Sequence, residues 1–292
     1  MLQNSLSFLT PLANISNKQL VLEKKYSQFL TLKDGETITL ASDIGIKDNQ
    51  EDSLAIAQKE DIKLLLVADG MGGMSSGEVA SYNVAKSILE WFESESIAKI
   101  KSLNKTNLNN ELVRIILFAL MSIPHNSGTT LNMSIILPKN TLIVNVGDSR
   151  TYTIKDGKIT LQTKDDSLAF AISNPQTSQD RDKLRFYRQN HIITEAITPI
   201  SFPKLTISSV QNDEYDIICH ITDGVSDILS ESEIEECCQS PHPANTLVGK
   251  SIYQKDIHGT YHQEDDTYCE FIHPGKDNAT AIVYTKKRMK NN

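Results

Sequence analysis

Residues 64–70, Leu-Leu-Leu-Val-Ala-Asp-Gly, place five consecutive apolar side chains directly before an acidic residue and a glycine. A short, uninterrupted apolar run is typical of a strand that is covered on both faces, because a half-exposed strand would alternate with polar residues. Residues 216–221 form a second, largely apolar run, which leads into Thr222-Asp223-Gly224. The sequence therefore predicts two buried strands that each deliver an aspartate at their end, with a flexible loop beginning at Asp69.

Other segments carry clear strand or helix patterns. Residues 37–42 alternate as a strand does, and residues 279–284 form an apolar run of strand length. Residues 78–91 and 108–119 carry apolar side chains at helical spacing, which predicts two amphipathic helices.

Four strand-length segments lie between residues 130 and 163, separated by turns as short as Asp156-Gly157. Connections this short join antiparallel neighbours, so we predict a four-stranded meander. Residues 165–212 are polar and without periodicity, which predicts a mobile, irregular excursion over one face. A short helix is expected after Ser230, because Glu233 completes a capping box.

The order of these elements predicts an α+β fold rather than alternating βαβ units, and a two-sheet core flanked by helices would bury both strand faces. A chain of 292 residues can form one large core. We place a single domain at residues 19–286, with an insertion at about 241–276. Residues 1–18 are expected to form a flexible lead-in and residues 287–292 a basic tail.

Composition excludes several classes of partner. The formal net charge of −8 argues against a nucleic-acid or anionic-membrane surface, and no apolar stretch approaches the roughly 18 residues of a membrane span. The N-terminus lacks a signal-peptide pattern. A cytoplasmic protein is therefore expected, although the kind of export signal that bacterial effectors carry elsewhere would escape this test. The irregularly spaced cysteines favour neither a zinc site nor a disulfide framework. They are Cys219, Cys237, Cys238 and Cys269.

Acidic residues flank the ends of several predicted strands. Asp69, Asp148 and Asp223 follow apolar runs closely, and Asp277 precedes one. A single strand-end aspartate usually caps a turn, but four together predict carboxylates held rigidly around one cleft. Oxygen ligands select Mg²⁺ or Mn²⁺ over zinc. Two such ions would clamp a phosphate and lower the pKa of a bridging water.

Six segments, in order along the chain, resemble the type 2C metal-dependent protein serine/threonine phosphatases, including their bacterial members. Each segment alone is a weak signal, but six in the family's order make coincidence improbable. The resemblance extends from about Ser42 to Tyr284. The segments are SDIG (42–45) with NQED (49–52), VADGMGG (67–73), SGTT (127–130), VGDSR (146–150), TDGVSD (222–227) and DNAT (277–280).

The resemblance implies a four-layer fold, in which an antiparallel β-sandwich is flanked by helix pairs on both faces, with residues 165–212 as a flap beside the active site. It also implies hydrolysis of phosphoserine and phosphothreonine in proteins, with two Mn²⁺ or Mg²⁺ ions and a third, weaker one. We expect the protein to act as a monomer. The implied ligands are Asp69 on both main ions, Asp223 and Asp277 on the first, Glu51 and the Gly70 carbonyl on the second, Asp52 on an ion or its waters, and Asp148 on the third. Asp69, Asp223 and Asp277 form the implied catalytic set.

Three positions depart from the family pattern. Lys47 stands where members usually carry a phosphate-gripping arginine, and lysine keeps the charge but loses the bidentate geometry. Asp166 replaces a histidine before Ser167, and Met71 replaces a histidine of many eukaryotic members. These changes leave the carboxylates intact. They permit an alternative, a catalytically weak or inactive relative that binds phosphoproteins.

Two further hypotheses carry less weight. A haloacid-dehalogenase-like phosphatase would use Asp69 as its nucleophile, but that mechanism needs a second aspartate where Met71 stands. The other is a second metal site near Asp265-Asp266, although its irregular spacing favours a solvated insertion. Its candidate ligands are His258, His262, Cys269 and His273.

Overall fold

Two antiparallel sheets form the centre of the molecule. The structure, a computed structural model, describes residues 18–21, 23–32, 35–72, 76–254, 257–258 and 271–286. The strands are β1 (Lys18–Val21), β2 (Lys25–Thr31), β3 (Thr37–Asp43), β4 (Asp52–Lys59), β5 (Ile62–Gly72), β6 (Ser127–Thr129), β7 (Leu131–Ile136), β8 (Asn140–Val146), β9 (Arg150–Lys155), β10 (Lys158–Leu161), β11 (Thr206–Gln211), β12 (Ile217–Ile221), β13 (Ile257–His258), β14 (Phe271–Ile272) and β15 (Ala279–Thr285). The helices are α1 (Gly77–Ser94), α2 (Ile97–Lys101), α3 (Lys105–Leu120), α4 (Leu168–Ser173), α5 (Ser178–Leu184), α6 (Asp223–Ser226), α7 (Glu231–Cys238) and α8 (Pro243–Tyr253), with a 3-10 turn at Asn212–Glu214.

The first sheet has the order β1-β4-β5-β7-β8-β11, and β6 pairs with the far end of β5. The second has the order β10-β9-β12-β15-β3-β2, while β13 and β14 pair with each other. Helices α1 and α3 pack on the outer face of the first sheet, and α7 and α8 pack on the second. The predicted α+β sandwich with helices on both faces is confirmed.

Residues 64–68 of β5 are all apolar because the strand is buried on both faces. Leu64, Leu66 and Ala68 pack against α1 and α3, whereas Leu65 and Val67 face the other sheet. Successive side chains of a strand point to opposite faces, so a strand buried on both faces needs apolar residues at every position. Each fully buried leucine gains about 1.5–3 kcal/mol from leaving water.

The layer between the two sheets changes from apolar to polar toward one end. On the first sheet, the inward-facing row Leu65, Val67 continues as Asp69, since alternate residues share a face. On the second sheet, the row that contains Leu40 continues as Ser42. The apolar part anchors each strand, and the same strands carry polar side chains to a shared end of the sandwich.

The predicted meander is wrong at its centre. Strands β7 and β8 pair with each other, and so do β9 and β10, but β8 and β9 belong to different sheets. The chain crosses between the sheets at Gly147, which has a φ of +96°. A positive φ of this size suits glycine, because a Cβ atom would collide with the backbone. The three residues Gly147, Asp148 and Ser149 therefore link the two sheets here rather than two neighbouring strands of one sheet.

Two other expectations are corrected. Strand β5 does not give way to a loop at Asp69 but continues to Gly72, because its last residues pair with β6. Residues 165–212 are only partly irregular, since they contain α4, α5 and β11, and β11 pairs with β8 along its whole length. The helices α4 and α5 have only six and seven residues, so neither shows the repeated apolar spacing that identifies a longer helix.

The remaining element predictions hold where the structure describes them. Helices α1 and α3, and strands β3, β12 and β15, lie where the sequence patterns predicted them. Helix α7 begins after Ser230, whose capping box with Glu233 is formed. Residues 1–17 and 287–292, and with them most of the predicted lead-in and the basic tail, lie outside the described residues, as do His262, Cys269, Asp265 and Asp266. None of the described helices is long and apolar enough to span a membrane.

The crossing at Gly147 generates a stability prediction. A Cβ atom at Gly147 would lie 2.6 Å from Thr130 Cγ2, and Thr130 cannot move freely because its hydroxyl accepts a hydrogen bond from Asp69 N at 2.9 Å. Gly147→Ala should therefore lower the free energy of unfolding by about 2–4 kcal/mol in urea denaturation. Gly157→Ala is the matched control, since Gly157 has a φ of +78° but its nearest neighbour would be 3.7 Å away. Its loss should be about 1 kcal/mol, and equal losses would contradict the steric account.

Candidate metal centre

Carboxylates from both sheets converge at the polar end of the sandwich. Asp52 and Asp69 are directly opposite each other in the pairing of β4 with β5. Asp223 begins α6 immediately after β12, and Asp277 precedes β15, the neighbour of β12. Side chains from four separate segments thus meet across the space between the sheets, and three of them, Asp69, Asp223 and Asp277, belong to the strand-end set expected to surround one cleft. We call Asp52, Asp69, Asp223 and Asp277 the carboxylate cluster.

The members of the carboxylate cluster strongly perturb one another. Burial and then the charges of Asp223, Asp52 and Asp277 hold the pKa of Asp69 well above its ordinary value. Burial raises the pKa of Asp52 to about 8, and the charge of Asp223 adds to that effect. Burial, followed by the charge of Asp277, raises the pKa of Asp223 to about 6. The cluster contains more carboxylates than it can ionise at neutral pH without an added cation.

Several buried carboxylate oxygens in this region lack any hydrogen-bond partner among the described residues. They are Oδ1 of Asp52, Oδ1 of Asp148 and Oδ1 of Asp223. A buried acceptor without a donor is costly, and a divalent cation would satisfy several such oxygens at once. Because the donors are all oxygens, the site fits a hard ion such as Mg²⁺ or Mn²⁺.

Lys47 provides a positive charge next to the cluster. Its Nζ lies 2.9 Å from Asp277 Oδ1, and the side chains of Asp69 and Asp223 are within hydrogen-bonding reach of each other. No three His, Cys, Asp or Glu side chains within the described ranges already surround one point as metal ligands. The Lys47 ammonium group thus provides part of the charge compensation that an ion would provide.

Threonine hydroxyls and backbone amides fix the cluster in place. Thr222 Oγ1 donates to Asp52 Oδ2 at 2.9 Å, and in turn accepts from Thr280 N at 3.0 Å. The Asp69 amide donates to the Thr130 hydroxyl at 2.9 Å. Each of these bonds joins two different strands or loops, so the carboxylates are held by the sandwich itself.

Glu51 and Gly70 lie beside the cluster, where the sequence expected a second ion. Gly70 N donates to the Glu51 carbonyl at 3.0 Å, and Glu51 N donates to Asn278 Oδ1 at 2.8 Å. The Glu51 side chain accepts from the Gly77 amide at the start of α1. A Cβ atom on Gly77 would lie 2.6 Å from Glu51 Oε1, so glycine is needed for this close approach. Burial raises the pKa of Glu51, and nearby Glu78 adds to the rise.

Lys47 lies at the rim of the cluster on a turn that is tied down at several points. Gly45 has a φ of +62°, and the Ile46 amide donates to the Gly275 carbonyl at 2.9 Å. The turn therefore packs directly against the segment that carries Asp277. Burial alone would lower the pKa of Lys47, but the hydrogen bond and the charge of Asp277 raise it overall. The ammonium group is thus kept charged beside the carboxylates.

Asp148, the remaining predicted ligand, lies near Asp223 at the crossing between the sheets. Burial and then the charges of Asp223, Asp165 and Asp227 hold its pKa well above the ordinary value. Asp227 itself received no role from the sequence. Burial, and then the charge of Asp223, raises its pKa to about 7. The four-residue spacing of Asp223 and Asp227 was the available signal, since it places both on one helical face.

Glu78 and Asn278 were also missed. Glu78 Oε2 is buried without a partner among the described residues, close to Glu51. Asn278 donates from Nδ2 to the carbonyls of Ile44 and Asn49 at 3.0 and 3.1 Å, while its Oδ1 holds Glu51. No sequence signal distinguished Glu78 from an ordinary acidic residue in the first turn of a helix.

Comparisons with known proteins identify a family and similar folds. The sequence profile of the family described as protein phosphatase 2C matches residues 41–249. The serine/threonine phosphatase Stp of Listeria welshimeri is 24% identical over 251 residues, covering 84% of this chain and 93% of that protein. The serine/threonine protein phosphatase PstP of Mycobacterium tuberculosis is 29% identical over 211 residues, covering 69% of this chain and 38% of that protein. The catalytic domain of PstP, solved in complex with two manganese ions, is similar in fold, with a TM-score of 0.59, 24% identity, and coverage of 85% of this chain and 96% of that chain.

The raised pKa values generate a prediction about the metal-free protein. Asp52, with a pKa of about 8, and Asp223, with a pKa of about 6, bind protons in the folded state that the unfolded chain has already released. Stability from this source is complete below pH 4 and is lost as the pH rises toward 8. In EDTA, the free energy of unfolding should therefore fall by about 3–5 kcal/mol between pH 5 and pH 8.

Thermal and urea denaturation of Asp52→Asn would check this assignment. The amide is neutral at every pH, so the variant should show a flatter pH profile between pH 5 and pH 8. Asp61→Asn is the matched control, because Asp61 is exposed and its pKa is lowered by its hydrogen bond to Lys101. A wild-type profile that rises between pH 5 and pH 8 would contradict the assignment.

Proposed function

Because this chain belongs to the protein phosphatase 2C family, we propose that it hydrolyses phosphoserine and phosphothreonine in proteins with the help of two Mn²⁺ or Mg²⁺ ions. The observation that carries this proposal is the convergence of Asp52, Asp69, Asp223 and Asp277, whose buried oxygens include acceptors without donors. Substrate specificity for phosphoproteins is supported by the names of the relatives, Stp and PstP, which are serine/threonine phosphatases.

The proposed ligands follow the positions of the side chains. Asp69 lies centrally and would serve both ions, Asp223 and Asp277 would serve one, and Glu51 with the Gly70 carbonyl would serve the other. Asp52 would hold an ion or orient its waters. The two manganese ions bound by the PstP catalytic domain support this number of ions. When bound, such ions supply Lewis acidity toward phosphate oxygens and lower the pKa of water.

The chain's own groups prepare the site for that chemistry. Asp69, whose pKa is held well above its ordinary value, would release its proton, because the ionised oxygens are needed as ligands. Lys47 Nζ would leave Asp277 Oδ1 and donate to an oxygen of the substrate phosphate. Thr222 would keep the Asp52 carboxylate oriented through its bond to Oδ2. Each of these movements needs only side-chain rearrangement, since the backbone around the cluster is fixed by hydrogen bonds.

A third, weaker ion is proposed beside Asp148 and Asp223. Asp148 Oδ1 is buried without a donor among the described residues, and Asp227 adds a further carboxylate nearby. The Asp227 side chain is partly satisfied, because Asn190 Nδ2 donates to its Oδ1 at 2.6 Å. Since Asn190 belongs to the excursion that carries α4 and α5, this region is linked to the metal centre and would form the flap beside it.

An inactive phosphoprotein-binding relative is the alternative reading of the Lys47 substitution. A protein that had lost catalysis would not need to keep several like charges buried together, because their burial is energetically unfavourable. All seven proposed ligands are present, and the structure brings the cluster carboxylates together. The active enzyme is therefore the better-supported proposal.

Asp69→Asn tests the proposed reaction. The wild type should hydrolyse p-nitrophenyl phosphate and a phosphothreonine peptide only with added Mn²⁺ or Mg²⁺, and excess EDTA should abolish turnover. An asparagine at this position cannot supply an ionised bridging ligand, so kcat/KM should fall by about 100-fold or more. Asp61→Asn changes an exposed carboxylate in the turn before β5 and should retain activity. Calorimetric metal uptake by the wild type without phosphate release would instead favour the binding module.

Substitutions of Lys47 test the proposed phosphate contact. Lys47→Arg restores a bidentate donor, so kcat/KM should rise about 3- to 10-fold. Lys47→Gln removes the charge, and a lost charged hydrogen bond should lower kcat/KM about 10- to 100-fold. Manganese affinity, measured by calorimetry, separates a phosphate effect from a metal effect. Unchanged kinetics in Lys47→Gln would exclude the contact.

A further inference from the structure

A turn next to the carboxylate cluster presents apolar side chains to solvent. Ile200 is 82% exposed and Phe202 is 38% exposed, and both lie in the segment that follows buried Ile197. Half-buried Met71 lies nearby on the last part of β5. We call Met71, Thr198, Ile200 and Phe202 the apolar turn surface. No part of the proposed reaction at the metal centre uses these side chains.

The turn is attached directly to the strand that carries Asp69. Thr129 and Ile197 exchange two backbone hydrogen bonds, of 3.0 and 2.9 Å. Thr129 is opposite Gly70 in the pairing of β6 with β5, and its hydroxyl donates to the Asp69 carbonyl at 2.9 Å. The segment at Ile197 therefore extends the first sheet two strand positions beyond β5, at the level of the carboxylate cluster.

The apolar turn surface lies on the same side of the sheet as the Asp69 carboxylate. Met71 is two residues after Asp69, so both side chains share one face of β5. Gly128 is opposite Met71, and a Cβ atom there would lie 2.8 Å from Thr198 Cγ2 and 3.6 Å from Met71 Cγ. Met71 and Thr198 thus both lie beside Gly128 on the face of the sheet that carries Asp69, and Ile200 follows Thr198 by two residues in the turn.

The turn is preformed rather than loose. The Thr198 hydroxyl accepts from Ser201 N at 3.2 Å, and the two residues form an isolated β-bridge. Pro199 fixes the backbone between them. At the base of the turn, the Glu195 carboxylate accepts a hydrogen bond from Lys204 N at 3.3 Å. Binding at this surface would therefore require little ordering, which favours affinity.

We propose that the apolar turn surface binds an apolar side chain of the phosphoprotein substrate, about three residues from the phosphorylated residue. This inference rests on the proposed function, because the distance to the apolar turn surface is measured from a phosphate bound at the proposed metal centre. Two strand spacings correspond to about 10 Å, and an extended chain covers about 3.3 Å per residue. The occupant is an extended peptide segment with a leucine-like side chain at that position.

The negative charges around the apolar turn surface favour an apolar substrate side chain over an acidic one. Glu195 lies at the base of the turn, and Asp166 nearby has a raised pKa because of burial and the charges of Glu195 and Asp165. On its other side, the surface borders the carboxylate cluster. An acidic residue three positions from the phosphate would therefore be repelled, whereas an apolar one would be accommodated.

Peptide kinetics with the full chain and Mn²⁺ test the proposal. Three phosphothreonine peptides would carry leucine, alanine or glutamate three residues before the phosphothreonine, and three more would carry them three residues after it. In one of the two positions, wild-type kcat/KM should be about 5- to 10-fold higher for leucine than for alanine, which corresponds to partial burial of one leucine side chain. Glutamate should give the lowest value.

Substitutions of Ile200 test whether the apolar turn surface causes the preference for leucine. Ile200→Ser should bring the leucine-to-alanine ratio close to one, and Ile200→Val should retain most of it. Leu117→Ser is the matched control, because Leu117 is 52% exposed on α3, away from the cluster. Unchanged thermal unfolding of Ile200→Ser would show that the fold is intact. A ratio that persists in Ile200→Ser would overturn the proposal.

The same assays separate failure of this inference from failure of the proposed function. If the wild type hydrolyses neither p-nitrophenyl phosphate nor any peptide, the proposed function fails and this inference falls with it. If it hydrolyses all peptides equally, only the inference is overturned. Light scattering of the wild type and Ile200→Ser tests a second copy of the chain as occupant. A dimer that is lost in the variant would also overturn the proposal.

Discussion

The repulsion among buried carboxylates at one end of the sandwich is the constraint on which the rest of the structure depends. Like charges in a poorly solvated place raise each other's pKa, and their oxygens need donors that the described part of the protein does not supply. The surrounding groups fit this demand. Thr222 and Thr130 orient the cluster, and Gly77 allows the Glu51 side chain to lie close to the start of α1. A site that favours a divalent cation is the physical outcome.

Such a cluster can persist only because the strands that carry it are anchored elsewhere. Inward-facing residues such as Leu65 and Val67 lie on the same strand as Asp69, in the apolar part of the layer between the sheets. Outward-facing residues of the same strand pack against α1 and α3. The two cores together hold β5 from both faces, and their stabilisation offsets the unfavourable electrostatics at its end.

The sequence predicted those features whose physical cause is local. The run at residues 64–68 indicated burial on both faces, and Ser230 with Glu233 indicated a helix start because the capping box is a short-range interaction. The crossing at Gly147 was mispredicted, since a short connection looks the same in sequence whether it joins neighbouring strands or different sheets. The helices α4 and α5 are too short to show a repeated apolar stripe. The strand-end positions of Asp69, Asp223 and Asp277 predicted that they would share a cleft, whereas the position of Glu78 depends on tertiary packing alone.

The contact between Lys47 and Asp277, with the raised pKa of Asp69, has a consequence for the protein before any ion binds. The chain supplies its own provisional counterions, so it can complete its architecture in a cell before any ion is loaded. Small zinc-dependent domains behave differently, because their empty forms are unfolded. Scarcity of the divalent ion would therefore leave folded but inactive protein, which could bind the ion when its supply returns.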